Sequence, residues 1–199
     1  MKIVLASGSP RRKEILENMN LKFDIIKSEI EETIVENESP EELVKRLSYE
    51  KAHDIASKNL DSIVIGADTI VVLNNNVLGK PKDEDEAFNM LKRMSGKEHD
   101  VITGISILCL GLKKEINDYC VSKVKFKNLS DEEIYSYIRT GECMDKAGAY
   151  GIQGLGGLLV EYIKGDYFNI VGFPISSAAE ILKNDFDIDI FKLNEGRFV

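Results

Sequence analysis

Residues 5–13 read Leu-Ala-Ser-Gly-Ser-Pro-Arg-Arg-Lys and combine several groups that bind phosphate. Ser9 followed by Pro10 is typical of a helix N-cap and first helical position, and we expect the Ser9 hydroxyl to accept a first-turn amide. The remaining amides of such a helix end attract anions. The guanidinium groups of Arg11 and Arg12 donate forked hydrogen bonds that fit phosphate oxygens. The stretch therefore predicts a phosphate-binding site, although a capped helix with a solvated basic turn would have a similar signature.

A single carboxylate interrupts the most strand-like stretch of the chain, residues 63–73, which is otherwise apolar and rich in β-branched side chains. This residue is Asp68, and burying it is costly unless it meets hydrogen-bond donors, a cation or a metal ion. One interpretation is that strand pairing bends here and Asp68 caps a turn beside Thr69. The other is a metal ligand or general base at an opening in a sheet. We favour the second because phosphate-binding features occur elsewhere in the chain.

Two further segments predict contacts with a ligand. Lys80 lies between Gly79 and Pro81, in a loop of defined shape, and is a candidate for phosphate contact. Residues 145–157 are rich in glycine, yet the side chains among them are not typical of a linker. Close approach of the backbone to a flat group such as a nucleobase would explain the glycines. The amide of Gln153 could then pair a donor and an acceptor with the edge of a base.

The elements that carry these residues alternate between strand and helix patterns. Strands are predicted at 3–5, 22–26, 63–73, 77–78, 101–112, 115–127 and 158–163. Helices are predicted at 10–19, 40–58, 83–94, 130–138 and 174–182, and turns at 74–76 and 165–169. Two long strands joined by a short turn imply a sheet that is partly antiparallel. We therefore expect an α/β fold with a mixed, curved sheet, helices packed around it and two lobes flanking a deep cleft, in a single domain 1–199.

Composition and charge restrict the class of partner. The chain has 199 residues, of which 43% are hydrophobic and 30% charged, with a formal net charge of -8. This negative charge opposes binding to a nucleic acid polymer, so the N-terminal cations are better suited to a small anionic ligand. The apolar runs are too short to span a bilayer, and the N-terminus leads directly into a strand pattern rather than a signal peptide. We expect a cytoplasmic protein without membrane or nucleic acid partners.

The cysteines and histidines do not predict a site. Cys109, Cys120 and Cys143 are odd in number and widely spaced, which is typical of reduced thiols in a cytoplasm. His53 and His99 are too few for a zinc site and have no cysteine at a spacing that suggests a catalytic pair. We expect surface or structural roles for both histidines.

Short motifs along nearly the whole chain resemble those of the Maf family of nucleoside triphosphate pyrophosphatases. The matching segments, in the order of the family, are residues 6–12, 66–69, 78–81, 95–96 with His99, 145–154 and 171–174. Each segment alone is weak, whereas the ordered set is specific. The resemblance implies a Maf/ITPase-like fold and hydrolysis of a nucleoside triphosphate between its α and β phosphates, giving a monophosphate and pyrophosphate with the help of a divalent metal ion. Homodimers are implied by the resemblance alone.

The resemblance also implies roles for individual residues. Asp68 matches the family's proton acceptor, and Asp68, Glu32 and the substrate phosphates would bind Mg²⁺ or Mn²⁺. Residues 29–32 read Glu-Ile-Glu-Glu where the family usually has Asp-Ile-Asp-Glu, so the carboxylates are kept but which glutamate faces the site stays open. The residues implied to hold the phosphate chain are Ser7, Arg12, Lys51 and Lys80.

Substrate choice is implied by three positions at which the family branches differ. Arg11, Thr69 and Gln153 resemble the branch that acts on dTTP and UTP, and modified pyrimidine triphosphates are plausible additional substrates. In the branch that acts on 7-methyl-GTP, tryptophan tends to replace the first and a carboxylate the last. An amide suits the neutral imide edge of a pyrimidine, whereas an acid suits a cationic methylated guanine.

Three alternatives stay open at this stage. The substrate could be 7-methyl-GTP or another non-standard nucleotide. The protein could instead be a nucleotide-binding regulator of septum formation, a process to which the family has been linked, without catalysis. A nucleotidyltransferase is the third, and it differs in transferring the nucleotide to a hydroxyl other than water.

Overall fold

The structure, a computed structural model, describes residues 1–31, 33, 35 and 38–195. Its strands are β1 (Ile3–Leu5), β2 (Phe23–Ile25), β3 (Ile63–Leu73), β4 (Asn76–Leu78), β5 (Glu98–Cys109), β6 (Lys114–Phe126) and β7 (Val160–Lys164). Its α-helices are α1 (Pro10–Asn18), α2 (Pro40–Ala56), α3 (Glu84–Met94), α4 (Asp131–Ile138), α5 (Tyr167–Val171), α6 (Ile175–Phe186) and α7 (Ile190–Leu193). Most predicted elements are present, with ends that differ by a few residues.

The strands form one mixed sheet in the order β2-β1-β3-β5-β6-β7, with β4 paired to β3. β1 pairs in parallel with both β2 and β3. The pairs β3 with β4 and β6 with β7 are antiparallel. The predicted mixed α/β fold is therefore confirmed. Main-chain contacts divide the chain into two compact units, and the predicted cleft stays a prediction.

The first unit comprises Met1–Asp68, Thr103–Cys120 and Gly172–Val199. Helix α2 packs against β3 and β5 at unusually short range. A Cβ built on Gly66 of β3 would lie 2.9 Å from both the Cβ and the backbone nitrogen of Ala52 and closer still to the Ser48 carbonyl oxygen. A Cβ on Gly104 of β5 would collide with the Val44 carbonyl in the same way. The two glycines thus let the backbone of α2 rest almost directly on the sheet.

The second unit comprises Thr69–Ile102 and Val121–Val171. Helices α3 and α4 pack against the strands of this unit through a large apolar core that includes Leu91, Met94 and Phe126. One local prediction is wrong in this unit, because residues 167–171 form the short helix α5 and not a turn. The Phe168 amide binds the Asp166 carboxylate at 2.8 Å, and buried Asn169 donates to the Val101 carbonyl at 3.0 Å. The first contact is local and the second ties α5 to β5, and together they stabilise a helix too short for periodicity to predict.

The joint between β5 and β6 also differs from the prediction. Strand β5 ends at Cys109, and Leu110–Leu112 form one turn of 3-10 helix before β6. The Gly111 amide donates to the Leu60 carbonyl at 2.8 Å, and Lys113 adopts a left-handed conformation with φ 54°. The backbone therefore leaves the strand three residues earlier than its apolar pattern suggests.

His99 is buried in the second unit, as the structural role requires. It is 3% exposed, its Nε2 lies 2.8 Å from the Tyr150 hydroxyl oxygen, and its ring meets Phe126 and Tyr150 edge to face. Its Nδ1 has no hydrogen-bond partner in the described part of the chain. Burial lowers the pKa of His99 from 6.5 to about 4, with Asp100 partly opposing this shift.

This burial predicts acid destabilisation. The unfolded chain binds a proton on His99 below pH 6.5, whereas the folded chain does so only near pH 4. The stabilisation from burying neutral His99 is therefore fully present above pH 6.5 and is lost as the pH falls to 4. This loss lowers the free energy of unfolding by roughly 3 kcal/mol. Urea unfolding of His99→Gln from pH 7 to 4 should show a correspondingly smaller loss than wild type. An unchanged pH dependence of the unfolding free energy in His99→Gln would contradict the assignment.

Within the described residues, no helix is both long and apolar enough to cross a membrane. Cys109 and Cys143 are buried free cysteines.

Candidate active site

The predicted phosphate-binding turn follows β1 at its carboxyl end. The Ala6 amide donates to the Ile65 carbonyl at 2.8 Å, so the chain leaves β1 alongside β3, three residues before Asp68. Ser7 is 8% exposed, and its Oγ accepts from the Ser9 amide at 3.2 Å. Ser7 and Asp68 thus follow the carboxyl-terminal ends of the paired segments of two parallel strands, which is where ligands bind in open α/β sheets.

Helix α1 begins as predicted, with Ser9 at the N-cap and Pro10 in the first helical position. The predicted capping bond is wrong: within the described chain, the Ser9 side chain makes no capping hydrogen bond. The extended N-cap residue instead directs its own amide to Ser7. Gly8 is exposed, and a Cβ there would come no closer than 3.4 Å to the flexible side chain of Lys27. Packing therefore does not require a glycine at this position, in contrast to Gly66.

Arg12 is anchored on both sides at the start of α1. Its Nε donates to the Gly172 carbonyl at 2.8 Å, and its Nη1 donates to Ser7 Oγ at 3.1 Å. Gly172 has φ 118°, a conformation that side-chain-bearing residues rarely adopt, so a glycine is needed to aim this carbonyl. The guanidinium is therefore fixed in orientation beside the α1 N-terminus. Arg11, in the same turn, is partly exposed.

Lys51 and Asp68 form the central ion pair of the first unit. Lys51 Nζ lies 2.6 Å from Asp68 Oδ1, and the two side chains are only 14% and 11% exposed. Lys51 is carried by α2 and Asp68 by β3, the two elements that meet at Gly66. The strand continues through Asp68 without the predicted alternative of a turn. The structure thus brings together two residues that are 17 positions apart in the sequence, and both side chains are largely shielded from solvent.

The remaining predicted residues belong to the second unit. Thr69 follows Asp68 in β3 and is partly buried, whereas Lys80 and Gln153 are exposed. The Gly148 amide donates to the Gly79 carbonyl at 3.0 Å, which joins the loop of Lys80 to the glycine-rich stretch. Two segments predicted independently to contact a ligand are therefore neighbours.

The glycines of residues 145–157 have an explanation within the protein. A Cβ on Gly154 would lie 2.7 Å from the Glu142 carboxyl carbon, and one on Gly151 would lie 2.6 Å from Lys146 Cε. Gly148 has φ 68°, and a Cβ built on it would lie 3.0 Å from the Val71 side chain. Close packing against the protein itself accounts for Gly148, and the predicted contact of this stretch with a nucleobase stays a prediction.

A metal ion fits the chemistry of the Asp68 carboxylate. No group of three or more His, Cys, Asp or Glu side chains that could hold a metal occurs in residues 1–31, 33, 35 and 38–195. Glu32, the other predicted ligand, lies outside the described residues. Mg²⁺ is commonly bound by one or two carboxylates together with substrate phosphates, and Asp68 supplies one such carboxylate. The described donor set therefore suits a metal that arrives with a phosphate-bearing ligand.

Comparison with known proteins places these residues in a family. A family model described as Maf-like protein matches residues 2–185. This chain belongs to the Maf-like protein family. It is 60% identical over 191 residues to a dTTP/UTP pyrophosphatase of Clostridioides difficile (strain 630), covering 96% of this chain and 98% of that protein. It is 55% identical over 189 residues to a protein of the same name from Thermoanaerobacter sp. (strain X514), covering 94% and 98%.

Among solved structures, a HAM1 protein from Coxiella burnetii matches with a TM-score of 0.48 and 17% identity, covering 65% of this chain and 74% of that protein. A similarity at this level does not indicate a function.

Two features of the Maf-like site were missed by sequence reasoning. The carbonyl of Gly172 anchors Arg12 across 160 residues of chain, and Gly66 brings α2 close enough for Lys51 to reach Asp68. Both glycines lie within the motifs that carry the family resemblance. Their place in those motifs indicates that both glycines matter for the site, but it does not reveal which contact each of them makes possible.

Proposed function

We propose that this protein hydrolyses dTTP and UTP between the α and β phosphates, giving the monophosphate and pyrophosphate. The observation that carries the proposal is 60% identity, over nearly the full length of both chains, to a protein named dTTP/UTP pyrophosphatase. Modified pyrimidine triphosphates belong to the proposed substrate range, because the same imide edge is present in many of them. We propose that residues 1–199 act as one domain.

In the proposed reaction, Asp68 is the general base. Its carboxylate accepts a proton from a water molecule as the water oxygen attacks the α phosphorus. The bond from the α phosphorus to the bridging oxygen breaks, and pyrophosphate leaves with the electron pair. Lys51 has three N–H donors, so it can contact a phosphate oxygen while it keeps its contact with Asp68 Oδ1. The ion pair thus places the base and a phosphate-binding cation side by side.

The phosphate chain is assigned to the cations and the first helix. Ser7, the N-terminal amides of α1 and Arg12 supply hydrogen bonds and positive charge in the first unit. Lys80 supplies a further positive charge to the phosphates. When bound, Mg²⁺ or Mn²⁺ held by Asp68, Glu32 and the phosphates would neutralise charge and polarise the phosphoryl group.

Base recognition is assigned to Arg11, Thr69 and Gln153. The amide of Gln153 offers one acceptor and two donors, which complement the N3–H and carbonyl groups of uracil and thymine. Cytosine presents an amino group and an unprotonated N3 instead, so the Gln153 amide would have to turn over to pair with it. We propose that the site holds the amide in the orientation that matches uracil and thymine, and discrimination of UTP from CTP is then expected at this residue.

Pyrophosphate release with Mg²⁺ from dTTP, UTP, CTP, GTP and 7-methyl-GTP tests the proposal. Preferential cleavage of dTTP and UTP, with the monophosphate as the second product, is expected. Activity confined to 7-methyl-GTP would overturn the assignment of Gln153. Binding of triphosphates without cleavage would favour a regulator of septum formation, and transfer of the nucleotide to an added hydroxyl compound would favour a nucleotidyltransferase.

We also propose a cytoplasmic location, which agrees with the buried thiols of Cys109 and Cys143 and with the nucleotide pool as substrate. Homodimer formation stays a prediction of the resemblance, and light scattering of the purified protein tests it.

Arg12→Lys tests the proposed phosphate contacts. Lysine keeps the positive charge, but its single ammonium group lacks the planar set of donors with which arginine contacts Gly172, Ser7 and a phosphate at the same time. Loss of one charge-assisted hydrogen bond of roughly 1.5–3 kcal/mol predicts a rise in KM of about tenfold to a hundredfold for dTTP. Steady-state kinetics measure it, with the exposed substitution Arg93→Lys as matched control. A KM within twofold of wild type would contradict the role of Arg12.

A further inference from the structure

The turn that carries Gln153 is tied down on both sides by two side chains. The Glu142 carboxylate accepts from the Leu155 amide at 2.8 Å and from the Gly156 amide at 3.0 Å. On the other side, the Tyr137 hydroxyl accepts from the Gly151 amide at 3.2 Å. Tyr137 also donates to Glu142 at 3.0 Å, so the two form one connected unit, the Tyr137–Glu142 clamp.

The clamp fits closely around the turn. A Cβ on Gly154 would lie 2.8 Å from Glu142 Oε1, and a Cβ on Gly156 would lie 2.8 Å from the Tyr137 hydroxyl oxygen. The Gly154 amide also binds the Gly151 carbonyl at 3.3 Å, which closes the turn. Residues 151–156 are therefore held by hydrogen bonds to two side chains, and at Gly156 a Cβ would also come within 2.7 Å of the Gly151 carbonyl oxygen.

The charge state of the clamp suits this role. Burial raises the pKa of Glu142, but the Gly156 and Leu155 amides, the Tyr137 hydroxyl and Lys146 together outweigh it and lower that pKa below its usual value. Burial and the contact with Glu142 raise the pKa of Tyr137. At neutral pH the carboxylate is therefore ionised and the phenol protonated, as the hydrogen-bond directions require.

We propose that Glu142 is a positioning residue for base selection: together with Tyr137 it holds the turn that presents Gln153 to the pyrimidine edge. The inference rests on the proposed function, which assigns base recognition to Gln153. Gln153 itself is exposed on the turn, so its orientation depends on the backbone that the clamp fixes. A turn that is ordered before binding does not lose further conformational entropy when the base binds, and a fixed turn cannot shift to accommodate a mismatched edge.

Glu142→Gln and Tyr137→Phe test the inference, with Glu161→Gln as matched control. Each carboxylate oxygen of Glu142 accepts a hydrogen bond from a backbone amide. In Glu142→Gln one of these oxygens is replaced by an NH₂ group, which cannot accept, so at least one backbone N–H loses its partner. We expect the ratio of kcat/KM for UTP to that for CTP to fall at least about fivefold, chiefly through KM for UTP, in both clamp variants. Glu161 is exposed on β7, and its variant should keep the wild-type ratio.

A double-mutant cycle with Gln153→Ala separates positioning from general damage. If Glu142 acts through Gln153, Glu142→Gln should change the UTP/CTP ratio less than twofold in the Gln153→Ala background. Hydrogen exchange at the amides of Gly151, Leu155 and Gly156 should be at least about tenfold faster in Glu142→Gln, while the Tm of the variant shows that the rest of the chain is folded.

The outcomes separate a failure of the positioning role from a failure of the proposed function. A wild-type protein that cleaves UTP, combined with additive effects of Glu142→Gln and Gln153→Ala or with unchanged exchange, would overturn the positioning role alone. A wild-type protein that cleaves neither dTTP nor UTP would overturn the proposed function and the base-selection role together.

Discussion

Asp68→Asn should lower kcat for dTTP and UTP by roughly 10²- to 10⁴-fold, the range expected for loss of a general base. Asparagine has almost the same shape as aspartate, and its carbonyl oxygen can still accept from Lys51 in place of Oδ1. It cannot take a proton from water, and it is a weaker ligand for a divalent metal ion. The substitution therefore removes the chemistry while it disturbs the surrounding packing little.

Rapid-quench measurement of pyrophosphate release under single-turnover conditions tests this effect on the chemical step itself. Calorimetric binding of dTTP should show that the variant still binds nucleotide, and its Tm should confirm folding. Asp118→Asn, at an exposed position of β6 in the same unit, is the matched control and should keep wild-type activity. A kcat for Asp68→Asn within threefold of wild type would contradict the role of Asp68 as base.

Local sequence signals predicted the elements that carry the site. Strand β3 has the bounds expected from its β-branched run, and α2 and α4, which were predicted from sequence, begin in the structure with serine capping boxes. In these cases the decisive interactions join residues within a few positions of each other, so short-range patterns contain the information.

Contacts between distant parts of the chain could not be predicted in this way. Lys51 was assigned to phosphate by resemblance, but its 2.6 Å pairing with Asp68 depends on how α2 packs on β3. The anchoring of Arg12 on Gly172 depends on the return of the chain after α5. The clamp around Gln153 combines a helix residue with backbone amides, which no pattern of side chains reveals.

Gly66→Ala should have the largest effect on stability, because α2 rests on this position of β3. The added methyl group would lie 2.9 Å from Ala52 Cβ and nitrogen, against helix backbone that cannot rotate away. Overpacking at such a contact typically lowers the free energy of unfolding by about 1–3 kcal/mol. We expect about 3 kcal/mol here, because the methyl group would meet helix backbone that cannot move aside as a side chain can. For a chain of this size this corresponds to a fall in Tm of roughly 6–12 °C.

The same substitution should also impair catalysis while the protein is still folded. Displacing α2 moves Lys51 relative to Asp68, and a misplacement of about 1 Å can lower activity by roughly 10²-fold. Thermal unfolding and kcat/KM for dTTP, measured well below the Tm of the variant, test both effects. Gly79→Ala is the stability control, because a Cβ there meets nothing within 4 Å in the described chain, and its Tm should equal or slightly exceed that of wild type. If Gly66→Ala matched this control in Tm, the close packing of α2 would not be what holds Lys51 against Asp68.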